Sequence, residues 1–172
     1  MTDINELKKV PSSGGSSRFL VFSLGEESYA VPLLKVREVI AQTEITPVPY
    51  TPAHFKGVMN LRGQVISVLD MRLKFKMKAK DSTGETAIII LDLAPVSIGV
   101  VVDSVTSVVA LSDEQISPSP EIESSISTDY ITGIARMDGR LILILEIEKT
   151  LSLDDLSALR KSSAQIKTHS AA

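Results

Sequence analysis

The chain has 172 residues, a formal net charge of −3 and a pI near 5.4, and its 44% hydrophobic and 23% charged content is ordinary for one globular domain or two small ones. The acidic balance, the lack of Trp and an aromatic content of 4% leave no electrostatic footprint and few stacking platforms for nucleic acid. Without Cys there are no disulfides, thiolate metal sites or cysteine nucleophile; no apolar run approaches the ~20 residues of a bilayer span, and no secretory signal is recognisable, so a cytoplasmic location without direct membrane insertion is expected.

Residues 1–17 hold the Ser/Gly cluster Ser12 to Ser17 and read as a disordered tail. Phe19 to Leu24 is a predicted strand, and Gly25-Glu26-Glu27 turns it back into Ser28 to Val31. Leu33 to Ile40 is open between an initial helical turn and a strand, with Val36, Val39 and Ile40 favouring the strand. Pro47, Pro49 and Pro52 preclude a regular element and give a rigid crossover. A β-hairpin follows, with strands near Lys56 to Leu61 and Gln64 to Asp70. A three-residue loop, with Leu61 and Arg62 right-handed and Gly63 left-handed, suits its turn better than a two-residue type I′ turn, which demands positive φ at Arg62. Lys74 to Lys80 alternates basic and apolar residues, as a solvated strand face does, and ends near Gly84 at a boundary between halves.

The second half offers strands at Glu85 to Leu93, Val96 to Val102 and Val105 to Leu111, then a short helical turn at Ser112 to Gln115 closed by Pro118 and Pro120. A second hairpin covers Tyr130 to Met137 and Arg140 to Glu146. The C-terminal helix is assigned to 152–166, with Ser152 and Asp155 at capping-box spacing and Leu153, Leu156 and Leu159 on one face; residues 167–172 are expected to fray.

Gly57 to Met71 overlays Gly133 to Ile147 without a gap. Of the 15 pairs, eight are apolar in both copies and two are Gly over Gly. Phe19 to Leu24 likewise overlays Ile88 to Leu93, and Tyr29 to Ile40 overlays Ile98 to Val109. An internal duplication follows: two small antiparallel barrels of about five strands each, near 18–82 and 83–151, with exchange of strands between them left open. Leu141 to Leu145 and Ile98 to Val102 are apolar on both faces, so those faces must be covered by the other barrel, the C-terminal helix or a partner, a surplus that points to binding.

Catalytic constellations are missing. His54 and His169 have no metal-ligand spacing, no Ser sits in a nucleophile elbow, and Gly57 and Gly63 lack the spacing of a phosphate loop, so neither metal nor cofactor is expected. Asp70 and Glu146 read as strand ends facing solvent or a nearby Arg. Glu38 and Arg62 are either charges that keep sheet edges soluble or, beside apolar Val36 and Leu61, the rim of a protein interface. A small-molecule or oligonucleotide-binding barrel is the rival from another class.

The run Gly57-Val58-Met59-Asn60-Leu61-Arg62-Gly63, followed by Asp70-Met71-Arg72, resembles the signature of the CheW coupling proteins of bacterial chemotaxis. Phe19 to Phe22, Lys35 to Val39, Gly99 to Asp103, and Leu143 to Leu145 with Ile147-Glu148-Lys149 match as well, so the likeness runs from about Phe19 to Leu151; Ser67 departs where the family usually has Pro. The resemblance implies two intertwined five-stranded SH3-like barrels and a stand-alone, non-catalytic adaptor joining the histidine kinase CheA, through its regulatory domain, to the cytoplasmic tips of methyl-accepting chemoreceptors. The expected partner surface is a trough of Val36, Val39, Gly57 and Val58 with Val100 and Val102, rimmed by Glu38 and Arg62, and with Asn60, Leu61 and Gly63 at the hairpin tip.

Overall fold

The computed structural model describes residues 4–9, 15–118, 129–152 and 154–160. Among the described residues, eleven strands fall into two sheets: β1 (Ser16–Leu24), β2 (Glu27–Pro32), β3 (Val36–Ala41), β4 (Phe55–Leu61), β5 (Gln64–Asp70), β6 (Ala87–Asp92), β7 (Ser97–Val102), β8 (Ser104–Ser112), β9 (Ile116–Ser117), β10 (Ile131–Met137) and β11 (Arg140–Leu145). The helices are α1 (Ile4–Lys9), α2 (Met71–Lys74) and α3 (154–160). A 3₁₀ turn at Leu33–Lys35 precedes β3, so both options for that segment are realised in succession. A capping box at Ser112 and Gln115 closes the expected turn at Asp113–Gln115.

The first sheet runs β8-β1-β2-β11-β10-β9 and the second β3-β6-β7-β5-β4. Each draws strands from both halves, and the exchange is reciprocal. Parallel pairing of β11 with β2 places Leu143 opposite Tyr29, and parallel pairing of β5 with β7 places Ser67 opposite Ile98; these are equivalent positions in the overlay. The bulge at Thr106 on β8, opposite Val21 and Phe22 of β1, likewise recurs at Arg37 on β3, opposite Ile90 and Leu91 of β6. The ladders do not close into complete barrels. Instead the chain folds over each gap, through β9 paired with β10 and through the bridge of Thr46 to Val58 on β4.

That closure explains the duplicated glycine. A Cβ on Gly57, whose φ is 138°, would stand 2.0 Å from the Thr46 carbonyl oxygen, and one on Gly133 would stand 2.5 Å from Ile116 Cγ2. Each glycine admits the segment that shuts its barrel, so Gly57 is buried rather than part of an open trough.

The strands with two apolar faces are covered from within. Ile98, Val100 and Val102 face the core between the sheets, whereas Val101 faces the interior of the second barrel with Met59, Ile66 and Val68. Ile142 and Ile144 fill the first barrel, and Leu143 and Leu145 the core between the sheets. Leu141 is half exposed at the start of β11, and the rest of the apolar surplus is internal and does not by itself signal a partner. Phe22, Tyr29, Phe75 and Tyr130 stack in series at centroid distances of 6.0, 5.7 and 5.1 Å across that middle core.

Four further expectations are corrected. The hairpin turn is a two-residue type: Leu61 pairs with Gln64, and Arg62 and Gly63 have φ of 52° and 84°, as Asp138 and Gly139 have 51° and 76°. Both positive φ values match the strand twist, and the Asn60 side-chain oxygen accepts the Gly63 N–H at 2.8 Å, which offsets the left-handed strain at Arg62. Lys74 to Lys80 is not a strand. The buried Asp70 carboxylate accepts the Leu73 N–H at 3.2 Å, capping α2 and ending β5, and Arg72 donates to the Lys78 carbonyl at 3.1 Å to fold the segment back. Part of the expected tail is ordered, with Ile4–Lys9 helical and Ser16 to Arg18 already paired with β8. Finally, α3 buries Asp155, Ala158 and Leu159 and leaves Leu156 exposed; Leu153, Pro120 and the segments 10–14 and 167–172 lie outside the described residues.

Gly57→Ala is expected to destabilise by about 3 kcal/mol or more, since both backbone conformation and space forbid the methyl. Gly63→Ala, with nothing within 4 Å of the added Cβ, should cost only about 1 kcal/mol. Urea midpoints of the two variants measure the difference.

Candidate functional site

The tip of the β4–β5 hairpin leans on β3, although β3 and β4 form opposite edges of the second sheet. Arg62 donates from its two terminal nitrogens to the two Glu38 carboxylate oxygens at 2.9 and 3.0 Å. Next to it Arg37 donates to the Gln64 side-chain oxygen at 2.8 Å. Successive strand residues ordinarily point to opposite faces; the bulge between Val36 and Glu38 re-aims the strand so that Arg37 and Glu38 both reach the hairpin. Arg62 is 74% exposed and Glu38 20%, so the pair contributes little stability while presenting a guanidinium held in a fixed position.

The expected interface residues separate into two groups. Glu38, Asn60, Leu61, Arg62 and Gly63 gather at the hairpin tip, with Leu61 half-buried against the second barrel's core. Val58 is half-buried on β4, and Val39 packs at the edge of the core between the sheets. Val36, Val100 and Val102 are 0%, 0% and 1% exposed and belong to that core, so no trough of those three side chains is open. Burial on both sheet faces makes such positions indistinguishable in sequence from a groove lining.

A different apolar cleft does lie between the two sheets. It has a volume of about 150 Å³, is walled by Val31, Leu91, Leu93, Leu145 and Ile147, and carries Lys35 and Glu148 at its edge, joined by a salt bridge. The barrel interiors themselves are filled. A polar recess near Asp70 and Arg72 is only about 30 Å³, far below the ~300 Å³ of an ordinary ligand pocket.

Two charged clusters have structural duties. Arg72 Nε donates to Asp103 at 2.7 Å, its Nη2 bonds the second carboxylate oxygen, and that oxygen also accepts the Gly25 N–H at 2.8 Å. The Arg72 guanidinium holds the Asp103 carboxyl below its ordinary range, and Asp103 in turn raises Arg72. Three turns are thereby fastened together. The second cluster was not legible in sequence beyond the Ser152–Asp155 spacing: fully buried Asp155 meets Lys74 and His54, accepts the Ser152 N–H at 2.8 Å, and receives a reciprocal cap, its own N–H donating to Ser152 Oγ at 3.2 Å. Burial alone would push the Asp155 carboxyl up, but Lys74, the Ser152 N–H and His54 outweigh it and bring it to about 2. Among the described residues no group of three His, Asp or Glu side chains is gathered as a metal site, and no helix is long and apolar enough to cross a membrane.

Interlocked duplicate barrels with filled interiors and a charged hairpin tip define a duplicated all-β module. The chain belongs to the CheW family, since the CheW-like domain model matches residues 18–155. It is similar to chemotaxis protein CheW of Klebsiella aerogenes, 34% identical over 91% of this chain and 95% of the relative, and to that of Helicobacter pylori, 31% identical over 90% and 97%. The solved scaffolding protein CheW of Thermoanaerobacter tengcongensis superposes with a TM-score of 0.75 at 31% identity, covering 81% of this chain and 95% of that one. As a member of that family the chain is a chemotaxis coupling adaptor and not an enzyme.

Asp155→Ala should cost about 3 kcal/mol at neutral pH, because it strands the Lys74 ammonium, 15% exposed. Since the folded carboxyl sits at about 2, below its unfolded value, its stabilisation is complete above that unfolded value and disappears as pH falls through about 2. Urea midpoints between pH 5 and pH 2 should fall for the wild type, and Asp155→Asn should flatten that part of the fall (titration window from the ordinary Asp range, about 4).

Proposed function

We propose that this adaptor bridges the regulatory domain of CheA and the cytoplasmic tips of methyl-accepting chemoreceptors, with one barrel end meeting the matching barrel of the kinase and the receptor's helical hairpin lying along β3. The observation that carries this reading is the Arg62–Glu38 pair: a rigid, exposed fork on a duplicated hairpin whose other copy bears Asp138 instead. A helix needs an apolar track with a polar rim. Val39, Val58 and Leu61 provide half-buried apolar surface at one end, and the cleft beside Lys35 provides it at the other. Arg62, Glu38, Asn60 and Gly63 form the rim. Gly57 holds the hairpin's closing contact, while Val36, Val100 and Val102 support the track from beneath. The chain works in the cytoplasm and reaches the membrane-associated receptor array through its partners. It performs no chemistry there, only passing a coupling free energy between two bound proteins.

Arg62→Glu is expected to weaken binding of a receptor cytoplasmic fragment at least ~10-fold, the scale of a lost charge-assisted contact. Its thermal midpoint should stay within a degree or two of the wild type, on the scale set for exposed pairs. Isothermal titration and a melting curve decide it; unchanged affinity removes the hairpin tip from the receptor contact. Receptor-controlled kinase activity in a mixture with CheA should fall in parallel.

A further inference from the structure

We infer that Arg37 and Gln64 form a clasp that positions the Arg62–Glu38 fork for the receptor helix, acting through the placement of the hairpin tip. This rests on the receptor site proposed above. The outermost backbone ties of the β4–β5 ribbon to other segments are the bridge of Thr46 to Val58 and the pairing of Ser67 with Ile98 of β7. Beyond them the described ladder joins β4 and β5 to each other alone, Asn60 opposite Val65 and Leu61 opposite Gln64. A two-stranded ribbon is held weakly without a third neighbour. Buried Met59 and Ile66 anchor its base, and half-buried Leu61 and Ile40 pack against the same cluster. At the tip, the Asn60 side chain fixes the shape of the turn by accepting the Gly63 N–H at 2.8 Å. Where the turn stands against β3 is a separate matter, settled by side chains: Arg62 on Glu38 at 2.9 and 3.0 Å, and Arg37 on the Gln64 side-chain oxygen at 2.8 Å.

The two bridges differ in kind. Arg62 is 74% exposed, so its ion pair is screened by salt and is the one that faces a partner. Arg37 is half-buried, and its acceptor is an uncharged amide, so that bond survives screening and holds the tip whatever Arg62 engages. The second copy of the hairpin is a control built into the molecule. In the overlay Asp138 and Arg140 replace Arg62 and Gln64, while Thr106 and Ser107 replace Arg37 and Glu38. The turn has the same left-handed pair and β8 the same bulge. Yet among the described residues neither Asp138 nor Arg140 bonds to β8, and the Thr106 hydroxyl turns back to donate to the Val21 carbonyl at 3.1 Å. The fold therefore builds this hairpin without a clasp, and only the copy that carries the exposed guanidinium has one.

The test uses the full chain. In the free wild type the backbone amide of Gly63 is expected to show a higher NMR order parameter than that of Gly139, its unclasped counterpart. Arg37→Ala should lower Gly63 to the Gly139 value while the thermal midpoint stays within a degree or two. Its affinity for a receptor cytoplasmic fragment should fall about 5-fold, as follows if the unclasped tip is in place roughly one-fifth of the time. Gln64→Ala should match it, and the double variant Arg37→Ala/Gln64→Ala should bind no more weakly than either, because each single change already opens the clasp. Unchanged Gly63 order in Arg37→Ala, or single effects that add in the double variant, overturns the clasp. So does an Arg37→Ala protein of full affinity when Arg62→Glu binds weakly. If Gly63 loosens but neither Arg37→Ala nor Arg62→Glu changes affinity, the clasp stands as what places the tip, and the receptor reading of that tip fails.

Discussion

The structure depends on a pair of reciprocal parallel ladders, β2 with β11 and β5 with β7. A barrel of about 65 residues buries too little of its surface to be secure alone, and parallel neighbours need a long crossover to come side by side. The duplication meets both demands together. Each half lends strands to the other's sheet, so the crossover of one barrel is the body of the next. The apolar faces this leaves turn toward each other and form the shared middle core, in which Phe22, Ile89, Leu91, Ile98 and Val100 are fully buried. Charged joints such as Arg72–Asp103 then fasten the turns where the halves cross.

Duplication also supplies two copies of the hairpin, and their side chains have diverged. The hairpin tips share backbone geometry to within a few degrees in φ, yet one carries Arg62 and the other Asp138. The two capping positions behind them have parted as well: Asp70 is buried and caps α2 with its carboxylate, whereas Glu146 stays on the surface, 3.1 Å from Lys149. One backbone used twice thus presents two unlike faces by side-chain substitution alone.

The parts of this fold that were legible in the sequence are those set locally. Strand positions follow from apolar runs bounded by Gly and Pro, and the repeat follows from the alignment of Gly57 with Gly133. What was hidden is decided between distant segments. Nothing in Ile98 to Val102 or Arg140 to Leu145 says which neighbour each strand joins, so faces covered by the sister barrel resembled faces awaiting a partner. Val36, Val100 and Val102 read as trough lining for that reason, and in the structure their side chains lie in the middle core. The positive φ at Arg62 runs against its own side-chain preference and is favoured by strand twist and by Asn60. The Asp155 cluster unites residues from three separated segments, of which only the Ser152 spacing left a local trace.

The interlocking of the halves has a consequence for how the protein is made. As the chain leaves the ribosome, β1 and β2 emerge long before β8 and β11, which complete their sheet, and β5 waits for β7. The nascent first half cannot finish either sheet: the second is complete once β7 has emerged, whereas β2 in the first waits for β11. The first sheet, and with it the shared middle core, is whole only when β11 has joined β2.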